Sequence, residues 1–304
     1  MIFDKKGLIF NPAGNFSWAA HTALQPTPIR IDDDIIRIFV GSRDIEGVSR
    51  IGFVDVSARN PSEVIGYSKQ PVLDVGLPGT FDDNGVVPAA VVKRDGILFL
   101  YYAGYQLVKN VRFLVLGGLA KSTDNGQTFN RVSNTPLLER TDDEFLFRVI
   151  HTIMLDEGKW KVWYGGGNHF VASGSKTLPV YDIRYMESID GFSFPSTGKV
   201  VLNNGSNEHR VGRPYVIKRN NKYHMFFGAS TPSEPYRLTY AESGDGITWK
   251  RNDKFLSIDY QAGDFDSEMS AYPSVIEVDG KLIMFYNGND YGKMGFGYAN
   301  LIEN

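Results

Sequence analysis

The sequence repeats one strand pattern five times, and this repetition constrains the fold more than any other feature. Each copy has an apolar strand, a polar turn and a second apolar strand that ends in an aromatic residue followed by Gly. The glycines that end these strands, spaced about 60 residues apart, are Gly41, Gly104, Gly166, Gly228 and Gly288. Two further short strands follow in each copy, which is typical of a propeller blade.

We therefore predict an all-β, five-bladed β-propeller with four-stranded antiparallel blades, in which an N-terminal strand closes the last blade. The chain is expected to be one domain, 1–304. The blades are predicted at approximately 15–74, 75–139, 140–202, 203–257 and 258–304, the last completed by 2–10.

Three turns of the repeat carry a Ser-x-Asp pattern with a following Gly, like the Asp-box turns of sialidases. Their aspartates are Asp124, Asp190 and Asp245. An Asp in such a turn accepts backbone N–H bonds, while the Gly adopts a positive φ. We expect these three residues to be structural.

Composition excludes several classes of function. The 304 residues carry a net charge of −3, which gives no reason to expect nucleic acid or an anionic membrane as partner. The absence of cysteine excludes disulfides and thiolate catalysis. Neither a secretory signal nor a membrane-length apolar segment is visible, so a cytoplasmic protein is expected. The sequence leaves the oligomeric state open.

The segments that lead into the inner strands are the best candidates for a site, because the inner strands of a propeller line its central channel. Counting five residues back from the Pro of each inner strand places His21, Asp83, His209 and Glu268 at one position. Two carboxylates facing each other across a pocket suit glycosidic bond cleavage. Asp83 and Glu268 are therefore the predicted catalytic pair. A register slip of one residue would substitute Asp82, Asp266 or Glu208.

Cationic and aromatic side chains near the same strand ends form the predicted substrate-binding set, since Arg recognises carboxylate or phosphate groups. The set contains Trp18, His21, Arg43, Arg148, His151, His209, Arg210 and Arg213, and the carboxylate Asp266 is added to it. A channel lined only by ion-paired side chains is the alternative. No His-rich metal motif is present, and no cofactor is required by the pattern. A carboxylate-bound cation in the channel is left open.

The five-fold repeat, the Phe81-Asp82-Asp83 and Phe265-Asp266-Ser267-Glu268 segments and the turn at 243–249 resemble the five-bladed propeller superfamily of arabinanases, β-xylosidases, invertases, levansucrases and mannoside phosphorylases. The resemblance covers essentially the whole chain and implies a glycosidase-like enzyme acting on an oligosaccharide, polysaccharide or activated sugar. Its hydrolases place an Asp on the first blade, where this chain has His21. The phosphorylases and related glycosyltransferases of the superfamily make phosphate- or nucleotide-sugar-dependent transfer the alternative. A non-catalytic glycan-binding propeller is the second alternative.

Overall fold

The computed structural model describes residues 2–12, 14, 16–174, 176–256 and 260–302. Their regular structure is almost entirely β-strand, as the repeat predicts. The helical element in these residues, α1 (Asn289–Gly292), is one irregular turn in which Asp290 and Tyr291 have left-handed φ angles of 52° and 57°. No helix in the described ranges is long and apolar enough to cross a membrane.

Within the described residues the strands form five antiparallel groups that follow one another along the chain, and short parallel pairs of strands join the second, third and fourth groups into one sheet. The first group contains β2 (His21–Arg30), β3 (Ile35–Arg43), β4 (Ser49–Ser57) and β5 (Val64–Tyr67). The second group contains β6 (Val86–Arg94), β7 (Ile97–Gln106), β8 (Leu114–Ser122) and β9 (Asn130–Arg131). The third group contains β10 (Phe147–Asp156), β11 (Lys159–Ser173), β12 (Lys176–Ser188) and β13 (Lys199–Leu202).

The fourth and fifth groups follow the same order. The fourth group contains β14 (Arg210–Arg219), β15 (Lys222–Ser230), β16 (Arg237–Ser243) and β17 (Lys250–Arg251). The fifth group contains β18 (Ala271–Val278), β19 (Lys281–Asn287), β20 (Phe296–Ile302) and β1 (Ile2–Phe10). The N-terminal strand β1 pairs antiparallel with β20, as the sequence predicts. The predicted boundary at 257/258 lies outside the described residues.

Apolar side chains pack between neighbouring groups, because alternate residues of a strand point to opposite faces of its sheet. In the central strands, consecutive aromatic residues enter different clusters. Tyr102 packs with Phe39 of the first group, whereas Tyr101 packs with Tyr164 of the third group. Similar clusters join the third group to the fourth and the fourth to the fifth. A further cluster, which contains Ile38 and Phe285, joins the fifth group to the first. Side-chain packing thus connects all five groups.

Each inner strand contains a β-bulge at the same level, where it passes the centre of the molecule. The register skips one or two residues in β2, β6, β10, β14 and β18. Three of the residues in these bulges, Gln25, Arg213 and Tyr272, have positive φ angles of 55°, 55° and 56°. Left-handed backbone is costly for a non-Gly residue and persists only where the surroundings over-determine it. The bulges therefore fix how these three side chains leave their strands.

The three Asp-containing turns have the predicted geometry. In two of them, Asp190 and Asp245 each accept two backbone N–H bonds on Oδ1. The glycine that follows, such as Gly191, has a positive φ of 81°. The structural role predicted for these aspartates is confirmed.

Candidate functional site

Six aromatic side chains gather where the inner strands begin, and we call this cluster the aromatic basin. Its members are Tyr105, Phe147, Tyr181, Tyr236, Tyr272 and Tyr291. Phe147 and Tyr181 stack with their ring centroids 4.5 Å apart. The ring centroid of Tyr272 lies 5.7 Å from that of Tyr236 and 6.2 Å from that of Tyr291. The basin draws on the second to fifth groups, and Tyr105, Phe147, Tyr272 and Tyr291 are partly exposed residues.

Arg210 provides the positive charge of the basin. Its guanidinium carbon lies 4.3 Å from the ring centroid of Tyr236, and its Nη2 donates to the Tyr291 hydroxyl at 2.9 Å. Its Nε donates to Ser230 Oγ at 2.9 Å. Among the residues that the structure describes, no carboxylate lies within ion-pair distance of Arg210. Because its partners are neutral, this arginine can bind an anionic group of a ligand.

His209 precedes Arg210 and is 5% exposed, and neither of its ring nitrogens has a partner among the described residues. Burial, reinforced by the charge of Arg210, lowers the pKa of His209 to about 4. The imidazole is therefore neutral at pH 7, which leaves one nitrogen to donate and the other to accept a hydrogen bond.

The lowered pKa of His209 predicts a pH-dependent stability. Between pH 6.5, the ordinary pKa of His, and about 4, the unfolded chain binds more protons than the folded protein, so stability falls as the pH falls through this window. We expect the wild type to lose about 2 kcal/mol more than His209→Gln across it, measured by urea unfolding. The control is His169→Gln at an exposed position, which should follow the wild type. Equal losses in the wild type and His209→Gln would contradict the assignment.

His21 and Arg43 lie opposite each other in the ladder between β2 and β3. His21 Nδ1 is 2.6 Å from Thr22 Oγ1, and burial, together with Arg43, lowers the His21 pKa. Burial raises the pKa of Tyr105 to about 12, and the charge of Arg43 opposes part of this rise. Leu24, three residues after His21, belongs to one apolar cluster with Tyr105 and Tyr291, which places this end of β2 beside the basin.

Three buried carboxylates in the lead-in segments fasten those segments to the second strand of their own group, and we call them the carboxylate latches. Asp82, Glu144 and Asp266 are each fully buried and accept a hydrogen bond from a Tyr hydroxyl 20 residues later. Each also has a cationic partner. The ion pairs are Arg131–Asp82 at 2.7 Å, Arg184–Glu144 at 2.7 Å and Lys5–Asp266 at 3.2 Å. The negative charge of each latch carboxylate is thus neutralised by a cation of the protein itself.

Glu208 serves the fourth group in the same way with a different aromatic partner. Its two carboxylate oxygens accept bonds of 2.6 and 2.9 Å from Arg251, which lies 5.5 Å from the Phe227 ring centroid. Phe227 stands where the second, third and fifth groups have Tyr, so no hydroxyl reaches this carboxylate. Asp82, Asp266 and Glu208 are thus all held by cations.

The first group has no latch, because Ala19 and Val40 stand at the positions of the latch carboxylate and its Tyr. The space holds a small cavity of about 20 Å³, lined by Trp18, Phe16, Tyr67 and other residues. Trp18 Nε1 donates to the Lys69 carbonyl at 3.0 Å. Trp18 therefore lines this separate cavity, and no ring contact connects it to the aromatic basin within the described residues.

Asp83 and Glu268 lie at the rim of the basin. Asp83 Oδ2 accepts a bond from the Gly79 amide at 2.8 Å, and the amide of the next residue, Asn84, donates to the Tyr105 carbonyl at 3.0 Å. Glu268 is exposed, and its own amide donates to Asn289 Oδ1 at 2.8 Å. Neither carboxylate has a cationic partner within ion-pair distance among the described residues. These two acids are free to meet a ligand.

The register corrects the positional equivalence inferred from the prolines. Pro88 lies before the bulge of β6, whereas Pro26, Pro214 and Pro273 lie within the bulges of their strands. Counted from the ladder, His209 and Glu268 share one position, and Asn84 occupies it in the second group. Asp83 lies one residue earlier. His21, opposite Arg43, is level with Arg210, opposite Ser230. Because Pro88 lies before its bulge, counting five residues back from Pro gives the wrong position in the second group.

The same register places Arg148 and Arg210 at different positions, opposite Gly166 and Ser230. Arg148 is buried and forms an ion pair with the latch Glu144. Arg213 and His151 are buried at the bulge level, below the basin. No group of three or more His, Asp or Glu that could hold a metal is found in the described part of the chain.

Sequence reasoning missed most of the basin. Tyr181, Tyr236, Tyr272 and Tyr291 were not singled out, because aromatic residues are frequent in every strand of the repeat. It also missed Asp182, whose pKa is raised by burial although Arg184 lies 2.7 Å away. The one signal available for Tyr272 is its place directly before an inner-strand Pro, a position that Gln25 and Arg213 share.

No protein-family model matches the chain. A relative from Mycobacterium tuberculosis, named uncharacterized protein Rv1502, is 33% identical over 305 residues and is covered over 100% of both chains. The chain belongs to the family of this mycobacterial protein. The match extends over the whole length of both chains.

Solved structures show what fold this family has. A glycoside hydrolase matches 99% of this chain and 92% of its own, with a TM-score of 0.76 and 19% identity. A thermostable family-43 glycoside hydrolase matches 99% and 93%, with a TM-score of 0.70 and 15% identity. A member of the GH130 family of mannoside phosphorylases matches 98% and 93%, with a TM-score of 0.72 and 14% identity. The chain has the propeller fold of these proteins, which confirms the predicted resemblance.

Proposed function

We propose that this protein is a carbohydrate-active enzyme that cleaves or transfers a glycosyl unit in the aromatic basin. The observation that carries the proposal is the cluster of partly exposed aromatic residues around Arg210, with two carboxylates at the rim that have no cationic partner among the described residues. The C–H faces of a sugar ring are apolar and pack well against aromatic rings. A concave, mostly apolar site with a few convergent polar groups is the usual form of a small-ligand site.

We propose that the five strand groups are the blades of a five-bladed propeller formed by residues 1–304 as one domain. The cluster that contains Ile38 and Phe285 supports this arrangement, because it joins the last group to the first. In such a ring the inner strands surround a central channel, and the lead-in segments of all blades surround one end of that channel. The basin would then be the floor of the funnel.

In the proposed reaction, Asp83 and Glu268 are the catalytic acids. One carboxylic acid protonates the glycosidic oxygen as the bond to the anomeric carbon breaks. The other carboxylate either deprotonates the attacking water or acceptor hydroxyl, or attacks the anomeric carbon itself. Asp82 and Glu208, the other predicted acids, are held by Arg131 and Arg251, which favours a scaffold role for both.

His21, Arg43, His209 and Arg210 are the proposed substrate-binding residues. His21 and Arg43 line the first-blade side of the basin. Among the described residues, neither of them forms an ion pair with a carboxylate. His209 has a neutral ring with unpartnered nitrogens, which suits a sugar hydroxyl that both donates and accepts. Trp18, Arg148 and Asp266 have partners away from the basin, so a contact with substrate is less well supported for them.

One observation favours phosphate- or nucleotide-sugar-dependent transfer as a second candidate. Arg210 has only neutral partners in the described chain, and its guanidinium suits bidentate binding of a phosphate. In phosphorolysis, phosphate would attack the anomeric carbon in place of water, and a single carboxylic acid would be sufficient.

A substrate screen separates these candidates. Aryl glycosides and β-1,2-linked manno-oligosaccharides are incubated with and without phosphate, and nucleotide sugars are tested with acceptor sugars. We expect turnover in at least one arm, and Arg210→Lys should raise KM for a phosphate-bearing substrate about tenfold because the bidentate contact is lost. Release of sugar without phosphate supports hydrolysis. Binding of glycans without turnover in any arm would contradict an enzyme and leave the glycan-binding alternative.

A further inference from the structure

Arg213 crosses the centre of the molecule at the level of the bulges. Its Nη1 donates to Gln25 Oε1 at 2.7 Å and to the Pro88 carbonyl at 3.0 Å. Its Nη2 donates to Thr27 Oγ1 at 2.9 Å and to the Pro26 carbonyl at 3.2 Å. A side chain from the fourth group therefore reaches β2 and β6, across the channel.

The charge of Arg213 is not compensated by the protein. All four acceptors of its terminal nitrogens are neutral, and no carboxylate of the described residues is within ion-pair distance. The residue is 2% exposed, and burial lowers its pKa to about 9, so it remains a cation at neutral pH. A buried charge without a counter-charge is costly, and such groups are ordinarily paired.

Two buried nitrogen atoms near the axis have no hydrogen-bond partner. They are Nε of Arg213 and Nδ1 of His151, which is 3% exposed. The hydroxyl of Thr152, next to His151, donates to the carbonyl of Pro214, next to Arg213, at 2.8 Å, so the two bulges adjoin. His151 and Thr27, an acceptor of Arg213, also line one cavity of about 310 Å³ at the end of the channel away from the basin. This cavity gives a small solute a route to His151.

We propose that a small inorganic anion, of halide size, binds on the axis between Arg213 Nε and His151 Nδ1. The anion accepts one hydrogen bond from each nitrogen, with the neutral imidazole protonated at Nδ1. It supplies the counter-charge that the protein lacks. A tetrahedral oxyanion fits less well, because two N–H donors would leave most of its oxygen atoms unsatisfied in a buried place.

This site is separate from the aromatic basin. Arg213 and His151 were predicted to bind substrate, but their contacts lie at the bulges and at the opposite cavity. The left-handed φ of Arg213, shared with Gln25 and Tyr272, directs the side chain inward from its strand. The proposed role is structural, holding inner strands of different groups together at the axis, and it is independent of the enzyme proposal.

The first test is a crystal of the full chain soaked in sodium bromide, with anomalous scattering recorded at the bromine edge. We expect a bromide peak between Arg213 Nε and His151 Nδ1. A water at that place, no density, or bromide only as an adventitious ion at the surface would overturn the proposal. This measurement uses the wild type and does not depend on whether a variant folds.

The second test measures thermal unfolding as chloride replaces gluconate at constant ionic strength. Raising chloride from low millimolar to about 200 mM should raise the wild-type Tm by about 3 °C, since a ligand that binds only the folded state stabilises it. Arg213→Gln should lose this shift. The matched control is Arg37→Gln, a buried arginine paired with Asp55 at 2.7 Å, which should keep it. An equal shift in all three proteins would overturn the proposal.

Discussion

Asp83→Asn and Glu268→Gln are each expected to lower kcat/KM by about 100- to 10,000-fold on any substrate that the screen identifies. Each change keeps the size of the side chain and removes its ability to transfer a proton or carry a negative charge. Both residues lie at the rim of the aromatic basin without a cationic partner, so folding should be little affected. Circular dichroism and Tm measured on the same preparations check this.

A matched control is available on the same rim. Asp290→Asn alters an exposed carboxylate next to Tyr291, at a left-handed position that Asn also tolerates. It should keep kcat/KM within about twofold. Full turnover in both Asp83→Asn and Glu268→Gln would remove the two-carboxylate mechanism. A loss confined to Asp83→Asn, with activity dependent on phosphate, would favour the single-acid alternative.

Arg131→Met is expected to cause the largest loss of stability, about 3 kcal/mol. The substitution leaves Asp82, which is fully buried, with hydrogen bonds from Tyr102 and Thr80 but without its counter-charge. Breaking one side of a buried ion pair is much more destabilising than removing the pair. For a chain of this size the change corresponds to a fall in Tm of roughly 5 °C, measured by calorimetry.

Two further variants make this test specific to the latch. Asp82→Asn combined with Arg131→Met should recover much of the loss, because no uncompensated charge is left. Arg59→Met removes the partner of Asp34 in a pair that is 81% and 72% exposed, and it should cost less than about 0.5 kcal/mol. If Arg131→Met were as stable as Arg59→Met, the latch would not be a stabilising contact.

The repeat allowed much of the fold to be predicted. Strands that end in aromatic-plus-Gly, polar turns and Asp-containing turns recur at fixed spacing, and the structure places a strand group at each copy. The pairing of β1 with β20 was also predictable, because the last copy lacks a fourth strand. These features depend on local residue patterns and on the number of residues between them, and both can be read from the sequence.

The candidate site could be predicted only in outline. Asp82 and Asp83 are neighbours in sequence, yet one is a buried latch and the other lies at the rim. Their difference depends on Tyr102 and Arg131, which lie 20 and 49 residues later. The offset of Asp83 from His209 and Glu268 depends on where each bulge lies relative to Pro, which the spacing of the prolines does not reveal.

The sequence by itself determined the repeated β architecture, the place of the lead-in segments and the absence of cysteine chemistry, because these follow from composition and periodicity along one strand. Only the tertiary structure decided which charges are neutralised. An ion pair such as Arg131–Asp82, or the reach of Arg213 across the channel, joins residues far apart in the chain. Electrostatic energy depends on distance and burial in space, and for this reason the roles of individual acids and arginines emerged only from the folded arrangement.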